Sequence, residues 1–130
     1  MEDDINEAIG EVCHEVNRAL CEAGGDMSQP AWKDATPGHR KSTADGVQWR
    51  IDNPSDPVSA QHDQWCDAKR GDGWVYGPDK DVEFKTHPCL RPFDELSDID
   101  RAKDHVFVAI VKTMSKYAAA GDFLRGDDQS

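Results

Sequence analysis

Apolar residues in the last third of the chain recur at the intervals of an α-helix. The stripe is far longer than a strand and has spacings of three or four residues, through Ile99, Ala102, Val106, Ile110, Met114 and Tyr117. Its central run, residues 106–111, would by itself also fit a buried strand, but the length of the whole stripe favours a helix. Ser97, with Asp100 three positions on, resembles a capping box. The sequence therefore predicts a long final helix.

Three earlier segments also have helical patterns and are bounded by glycine or proline. The first covers residues 3–23, and its apolar stripe consists of Ile5, Ile9, Val12, Val16, Ala19 and Leu20. The second begins with Thr36 as its N-cap and reaches about residue 52, and the third covers residues 58–71. We expect a mainly α-helical fold of about four helices, with a long structured loop before the last helix and a short two-stranded pairing near residues 74–76.

Size and hydropathy bound the class of protein. A length of 130 residues suits a single domain, and we assign residues 1–130 to one. No apolar run approaches the roughly 18 residues of a membrane span, and the N-terminus lacks the pattern of a secretory signal. We therefore expect a cytoplasmic protein with no membrane partner. The polar segment 121–130 is expected to be a flexible tail.

The chain is strongly acidic. Its 26 Asp and Glu residues against 15 Lys and Arg residues give a formal net charge of −11, which opposes long-range attraction to a phosphate backbone. We therefore expect no general nucleic-acid binding. A small anionic ligand is not excluded, because a few local cations and backbone N–H groups can hold a phosphate inside an acidic protein.

Cysteine and histidine spacing leaves one metal alternative open. The four cysteines have neither a CxxC pair nor framework spacing, so we expect free thiols. His62 and Cys66 lie one helical turn apart, and His87 and Cys89 are two residues apart. These four side chains could meet as a zinc site, or they could be packing and hydrogen-bonding residues. We assign no metal.

Catalytic patterns are weak. Cys13 and His14 are neighbours, but adjacent residues on a helix point about 100° apart and do not face each other. We find no Gly-rich phosphate loop, no paired-carboxylate signature and no nucleophile elbow in the sequence. The sequence therefore predicts a protein that is not an enzyme, with no catalytic residue and no cofactor.

Aromatic and basic residues concentrate between positions 65 and 87. Trp65, Trp74 and Tyr76 offer rigid flat surfaces, and stacking of a base on such a ring contributes about 1–3 kcal/mol. The same segment contains four cations that could bind phosphate through charge-assisted hydrogen bonds, namely Lys69, Arg70, Lys80 and Lys85. The alternative is that both tryptophans are core anchors that fasten the loop to the helices. Spacing alone leaves both alternatives open.

A second polar cluster lies on the first predicted helix. His14, Asn17 and Arg18 stand at positions i, i+3 and i+4, and Gln29 and Trp32 follow shortly. Such a cluster is either a solvated helix face or the rim of a pocket. We include His14, Asn17 and Arg18 among the candidate ligand-binding residues.

An ordered set of residues from position 62 to about position 104 points to a family. The set consists of His62, Trp65, Lys69, Gly73, Trp74, Tyr76, Gly77, Pro78, Asp81, Lys85, His87, Pro88, Cys89, Leu90, Phe93, Leu96 and Arg101. This pattern resembles the ryanodine receptor repeat domain, which occurs in tandem in the cytoplasmic part of calcium-release channels and singly in small bacterial and phage proteins. We assign residues 58–118 to the repeat-like segment. Cys66 departs from the pattern, which counts against the zinc alternative.

The resemblance implies a helical binding or interaction module. In the channels the tandem repeats are associated with adenine-nucleotide binding, in which tryptophans of the Gly-Trp-x-Tyr-Gly-Pro type stack on the ring system. By resemblance, Trp74 is the first candidate for stacking. The residues expected around it are Trp65, Lys69, Tyr76, Lys85, His87 and Pro88.

The hypothesis from the sequence is a non-enzymatic module that binds an adenine-containing nucleotide, or a cyclic-nucleotide or ADP-ribose-type signal, as a sensor or a sponge. One alternative is a structural or protein-interaction module with no small ligand. A second alternative is a phage-type anti-defence protein that sequesters an immune nucleotide signal. Because the tandem partner is missing from the sequence, a second copy of the chain is expected to replace it in a two-fold homodimer.

Overall fold

Helices make up most of the described chain. The computed structural model describes residues 2–120 and the side chains of residues 4–118, so the predicted flexible tail at 121–130 lies outside the described residues. The four α-helices of this part are α1 (Glu2–Ala23), α2 (Pro37–Asp52), α3 (Val58–Gly71) and α4 (Asp98–Ala120). The other elements are 3-10 turns at Trp32–Asp34 and Phe93–Glu95 and strands β1 (Val75–Tyr76) and β2 (Thr86–His87). The mainly α-helical prediction is confirmed. None of these helices has the length and apolar character needed to cross a membrane.

Two helices begin at the side-chain caps that the sequence indicates. The Thr36 hydroxyl accepts a hydrogen bond from the His39 backbone N–H at 3.1 Å, with Pro37 in the first helical position of α2. The Ser97 hydroxyl accepts a hydrogen bond from the Asp100 N–H at 3.3 Å before α4. A side-chain oxygen at this position satisfies one of the free N–H groups of the first helical turn.

The described residues group into two compact units. Residues 2–54 and 106–120 belong to the first unit, and residues 55–105 belong to the second. The core of the first unit contains Ile9 and Val47, both fully buried, with Val111, which is 1% exposed, and Cys13. The assignment of residues 1–130 to one domain stays a prediction.

The predicted helical stripes are buried only in part. On α1 the buried positions include Ile9 and Cys13, one turn apart, whereas Val12 is 36% exposed. On α4 the two ends of the predicted stripe, Ile99 and Tyr117, are 53% and 52% exposed. The helical period predicted from the sequence is therefore confirmed, but the buried face of α1 contains Cys13 in place of the predicted Val12.

The end of α3 directs the chain into the loop of the second unit. Gly73 has a φ of 91°, a left-handed conformation that costs glycine little. The N–H of Trp74 donates to the carbonyl of Lys69 at 3.0 Å, and the N–H of Gly73 donates to the carbonyl of Arg70 at 3.0 Å. These two bonds form a Schellman motif, which places Trp74 directly beyond the helix end.

The expected two-stranded pairing is present and is parallel. Strand β1 pairs with β2 so that Val75 is opposite Thr86 and Tyr76 is opposite His87. The backbone N–H of Val75 donates to the Lys85 carbonyl at 2.9 Å. Neighbouring strands lie about 4.8 Å apart, so the pairing brings the two ends of the loop together.

A tight turn closes the connection between the strands. The backbones of Asp81 and Thr86 exchange two hydrogen bonds of 3.0 Å. The Asp81 carboxylate accepts from the N–H groups of Glu83 and Phe84 at 2.9 and 3.1 Å. Lys85 then adopts a left-handed φ of 55° and reverses the chain into β2. This turn allows two parallel strands to be joined without a crossover helix.

We predict that Gly77→Ala destabilises the second unit. An added Cβ at Gly77 would lie 2.6 Å from the Cβ of Thr86 on the neighbouring strand. Overpacking of this kind costs about 1–3 kcal/mol. At Gly38, in the first turn of α2, an added Cβ meets nothing within 4 Å, so Gly38→Ala is the matched control. Urea unfolding of the three proteins measures the effect, and equal free energies of unfolding for the two variants would contradict the steric argument.

Candidate functional site

The last two turns of α3 and the two strands carry the aromatic candidates of the second unit. Trp65 and Lys69 lie one turn apart on α3, and Trp74 follows the helix end. Tyr76 stands opposite His87 in the strand pair. Trp74 directly precedes β1, which contains Tyr76. The fold thus gathers these five residues, which we call the His87 cluster.

Ring contacts in the His87 cluster centre on the imidazole. The ring centroid of His87 is 4.9 Å from that of Trp65, with the planes at 75°, and 6.4 Å from that of Trp74, with the planes at 60°. Both tryptophans are partly buried, whereas Tyr76 is 53% exposed. The tryptophans therefore serve the packing of the loop and also keep part of their ring surface accessible.

Two lysines give the His87 cluster a local positive charge. The ammonium group of Lys69 lies 5.0 Å from the ring centroid of Trp74, a cation–π distance. Burial and the charge of Lys80 lower the pKa of Lys69. Among the described residues, neither Lys69 nor Lys80 has a hydrogen-bond or ion-pair partner for its ammonium group. In an acidic chain, these two charges are available to an anion.

His87 is held in its neutral form. Burial, followed by the charges of Lys80 and Lys69, lowers the pKa of His87 to about 4. Its Nδ1 accepts a hydrogen bond from the Cys89 backbone N–H at 3.0 Å. The proton of the neutral ring therefore resides on Nε2, which leaves His87 with one side-chain donor.

A buried histidine of α3 supports the segment behind the cluster. His62, which is 3% exposed, donates from Nε2 to the carbonyl of Arg91 at 2.7 Å. Its Nδ1 lies 3.6 Å from a carboxylate oxygen of Asp104, and burial raises the pKa of Asp104 to about 6. The sulfur of Cys66 lies 3.3 Å from the same Nε2. His62 therefore holds the chain that follows β2.

These contacts do not support the zinc alternative. Burial raises the pKa values of Cys66 and Cys89 to about 11, so both thiols remain protonated near neutral pH. A zinc ligand must be a thiolate. Within the described part of the chain, no group of three His, Cys, Asp or Glu side chains is arranged to hold a metal ion.

Two further predicted site residues flank the cluster. The ammonium group of Lys85 donates to the backbone carbonyl of Asp72 at 2.8 Å, so Lys85 ties the turn to the end of α3. Pro88 is partly buried and follows His87 directly. The structure thus gives Lys85 a local structural contact.

The second predicted group, on α1, lies in the first unit. His14 is 5% exposed and donates from Nε2 to the Pro30 carbonyl at 2.7 Å. Its Nδ1 lies 3.3 Å from Nε2 of His39, a residue that the sequence reasoning missed because it lies 25 positions away. Arg18 forms ion pairs with Glu15 and Glu22 on the helix surface, and Asn17 beside it is partly buried.

A cleft also lies in the first unit. Its volume is about 450 Å³, and it is lined by Asn6, Glu7, Pro37, Arg40, Lys41, Ala44 and Asp45. The lining mixes both signs of charge and has no aromatic ring, and Lys41 and Asp45 pair with each other at 2.7 Å. The cleft therefore lacks the stacking surface that the His87 cluster provides.

One cation beside the cluster was missed by the sequence reasoning. The guanidinium carbon of Arg91 lies 6.0 Å from the ring centroid of Tyr76. Arg91 follows an irregular segment, in which no helical or strand period shows which side chains meet. Its proximity to Tyr76 follows from the strand pairing and could not be found from spacing.

A comparison with protein families covers the segment that carries the His87 cluster. The family model described as the RyR domain matches residues 56–120, which are half of the chain. The matched range contains all five residues of the His87 cluster as well as Lys80 and Arg91. Residues 1–55, with the polar group around His14, lie outside it.

The depressed pKa of His87 predicts a pH dependence of stability. Its value of about 4 lies below the ordinary 6.5, so unfolding takes up a proton between these values. The contribution of His87 to the free energy of unfolding therefore decreases as the pH falls from 6.5 to 4. Urea unfolding at pH 7 and pH 5 should show a larger loss for the unaltered protein than for His87→Gln.

Comparison of the unaltered protein with His87→Gln cancels the effect of other titrating groups on stability. Asp104 titrates in both proteins with a raised pKa of about 6, and its effect has the opposite sign because the folded state then binds the extra proton. Equal losses in the two proteins would contradict the neutral assignment of His87. A titration of the His87 ring by NMR gives its pKa directly.

Proposed function

This chain belongs to the RyR domain family, and from that membership we propose that its second unit is a non-enzymatic small-molecule-binding module. The proposed ligand is an adenine-containing nucleotide, or a cyclic-nucleotide or ADP-ribose-type signal. The observation that carries the proposal is the pairing of accessible tryptophan rings with two lysines that have no carboxylate partner among the described residues. An aromatic surface beside positive charge suits a base that carries phosphate.

The stacking surface is the first part of the argument. Trp74 and Trp65 are both partly buried, so their rings are held in place, and ordering them on binding costs little entropy. A base stacks on such a ring with about 1–3 kcal/mol. The ammonium group of Lys69, which lies over the Trp74 ring, also favours the binding of a ligand that carries negative charge close to this ring.

The charge of the site is the second part of the argument. Lys69 and Lys80 each lower the pKa of His87, which indicates that the neutral imidazole lies in the field of both lysines. A phosphate group near the two lysines would offset the repulsion between their charges. The formal net charge of −11 does not oppose such binding at short range, because the contacts are local.

Adenine is favoured by the family resemblance and suits the hydrogen-bonding group of His87. The free Nε2–H of His87 is a donor, and the ring nitrogens of adenine are acceptors. Stacking itself discriminates weakly among bases. The Nε2–H group is therefore the proposed source of base selectivity.

Binding without chemistry is the proposed mode of action. The thiols of Cys66 and Cys89 have raised pKa values of about 11 and are poor nucleophiles in that form. A sensor or a sponge releases its ligand unchanged. Incubation of protein with ADP-ribose, followed by recovery of the intact compound, tests this mode, and a hydrolysed product would contradict it.

We expect Trp74→Leu to weaken the binding of ATP or ADP-ribose. The loss of one stacking surface should cost about 1–3 kcal/mol, roughly 5- to 150-fold in Kd. Isothermal titration calorimetry measures the change. Trp49→Leu, the same substitution on α2 in the first unit, is the matched control and should leave Kd unchanged. If Trp74→Leu binds as tightly as the unaltered protein, the stacking proposal is wrong.

A second pair of substitutions tests the role of positive charge in ligand binding. Lys69→Gln should weaken ATP binding but leave adenosine binding nearly unchanged, because adenosine lacks phosphate. Lys33→Gln, an exposed lysine of the first unit, is the control for loss of one charge. An equal effect of both substitutions would indicate a general charge effect rather than a site.

A protein-interaction module is the second candidate, favoured by exposed apolar side chains. Val82 and Phe84, in the turn between the strands, are 71% and 72% exposed. Exposed apolar residues in proximity suit a contact with another protein, including a second copy of this chain.

We expect Phe84→Ser to reduce self-association in sedimentation equilibrium. A monomer at all concentrations in both proteins would rule out the homodimer.

A further inference from the structure

Arg91 differs from the other arginines that the structure describes. Arg18 donates to carboxylates, Arg40 and Arg50 donate to backbone carbonyls, and Arg101 donates to both. Arg70 forms an ion pair with Asp67 at 4.0 Å. The guanidinium group of Arg91 has no hydrogen-bond or ion-pair partner among the described residues. None of the acidic side chains that the structure describes thus pairs with this cation.

The position of Arg91 is well defined. Its backbone N–H donates to the Cys89 carbonyl at 2.9 Å, and its carbonyl accepts from His62 at 2.7 Å. The preceding residue, Leu90, is 3% exposed. The side chain extends over Tyr76, with 6.0 Å between the guanidinium carbon and the ring centroid. Arg91 is therefore held over an exposed ring at the strand pair.

The Nε atom of Arg91 is the group that points to a ligand. It is buried and has no hydrogen-bond partner among the described residues, and a buried donor without an acceptor destabilises the folded state. A planar guanidinium group can bind two oxygens of one phosphate at once. A phosphate group beside Tyr76 would supply hydrogen-bond acceptors for the guanidinium group of Arg91, whereas no described side chain supplies one.

We propose that Arg91, stacked over Tyr76, binds a phosphate group of the ligand. Tyr76 stands opposite His87, and His87 lies in the field of Lys69 and Lys80. Cations thus lie beside both Tyr76 and His87. This arrangement suits a ligand with more than one negative charge, such as a diphosphate. The assignment deepens the proposed nucleotide function and rests on it for the base, but the phosphate contact can be tested without a base.

The first experiment uses pyrophosphate as the probe and the full chain. In ¹⁵N-edited NMR spectra of the arginine Nε–Hε groups, the resonance of Arg91, assigned from its absence in Arg91→Met, should shift on addition of pyrophosphate. The resonance of Arg70, an arginine of the same unit that pairs with Asp67 and lies over no aromatic ring in the described structure, should not shift. An Arg91 resonance that does not shift at saturation would overturn the proposal.

The second experiment measures affinity. Arg91→Met should weaken pyrophosphate binding at least tenfold and change adenosine binding less than twofold. Arg70→Met removes the same charge from the same unit and should change neither. A pyrophosphate Kd for Arg91→Met within twofold of the unaltered protein would overturn the assignment.

Stability separates binding from a structural role. Because the guanidinium group makes no hydrogen bond in the described structure, Arg91→Met should keep or raise the urea midpoint. A lowered midpoint together with loss of adenosine binding would show that Arg91 supports the fold, and the assignment would be wrong. If adenosine fails to bind while pyrophosphate binding still depends on Arg91, the nucleotide proposal fails and the phosphate contact stands.

Discussion

The backbone pairing of β1 with β2 is the constraint on which the candidate site depends. It joins residues on both sides of a polar turn and sets Tyr76 opposite His87. With the chain fixed there, Trp74 at the end of α3 and Trp65 within α3 both reach the His87 ring. The close approach at Gly77, where a Cβ would lie 2.6 Å from Thr86, shows how little room the pairing leaves. A short ladder of backbone hydrogen bonds thus determines which side chains meet.

Electrostatics distinguishes this part of the molecule from the rest. Ion pairs elsewhere are mostly between helical neighbours, such as Lys41 with Asp45, and contribute little because they are exposed. Around His87, by contrast, Lys69, Lys80 and Arg91 have no partner of opposite charge within ion-pair distance among the described residues. Burial, followed by the charges of Lys80 and Lys69, lowers the pKa of His87 to about 4. Uncompensated charge next to accessible rings is the physical basis of the proposed nucleotide site.

Helix positions were largely predictable, whereas the packed faces were less so. The caps at Thr36 and Ser97 are local signals, since each side chain bonds an N–H three residues away. The packed face of α1 includes Cys13 rather than Val12, because burial depends on what the neighbouring helix offers. The ordered residues around Trp74 indicated the family, which the match over residues 56–120 confirms. The position of Arg91 over Tyr76, by contrast, depends on a contact that no periodicity encodes.

The sequence by itself determined the helices, their ends, the acidic charge and the membership that the ordered motif of residues 62–101 indicated. These properties depend on local backbone preference and on composition, which are written along the chain. The tertiary structure decided that the strands pair in parallel, that Lys85 bonds the end of α3, and that Arg91 lies over Tyr76 with no partner for its Nε atom among the described residues. Such facts depend on residues distant in sequence coming together, and only folding the chain brings them within reach.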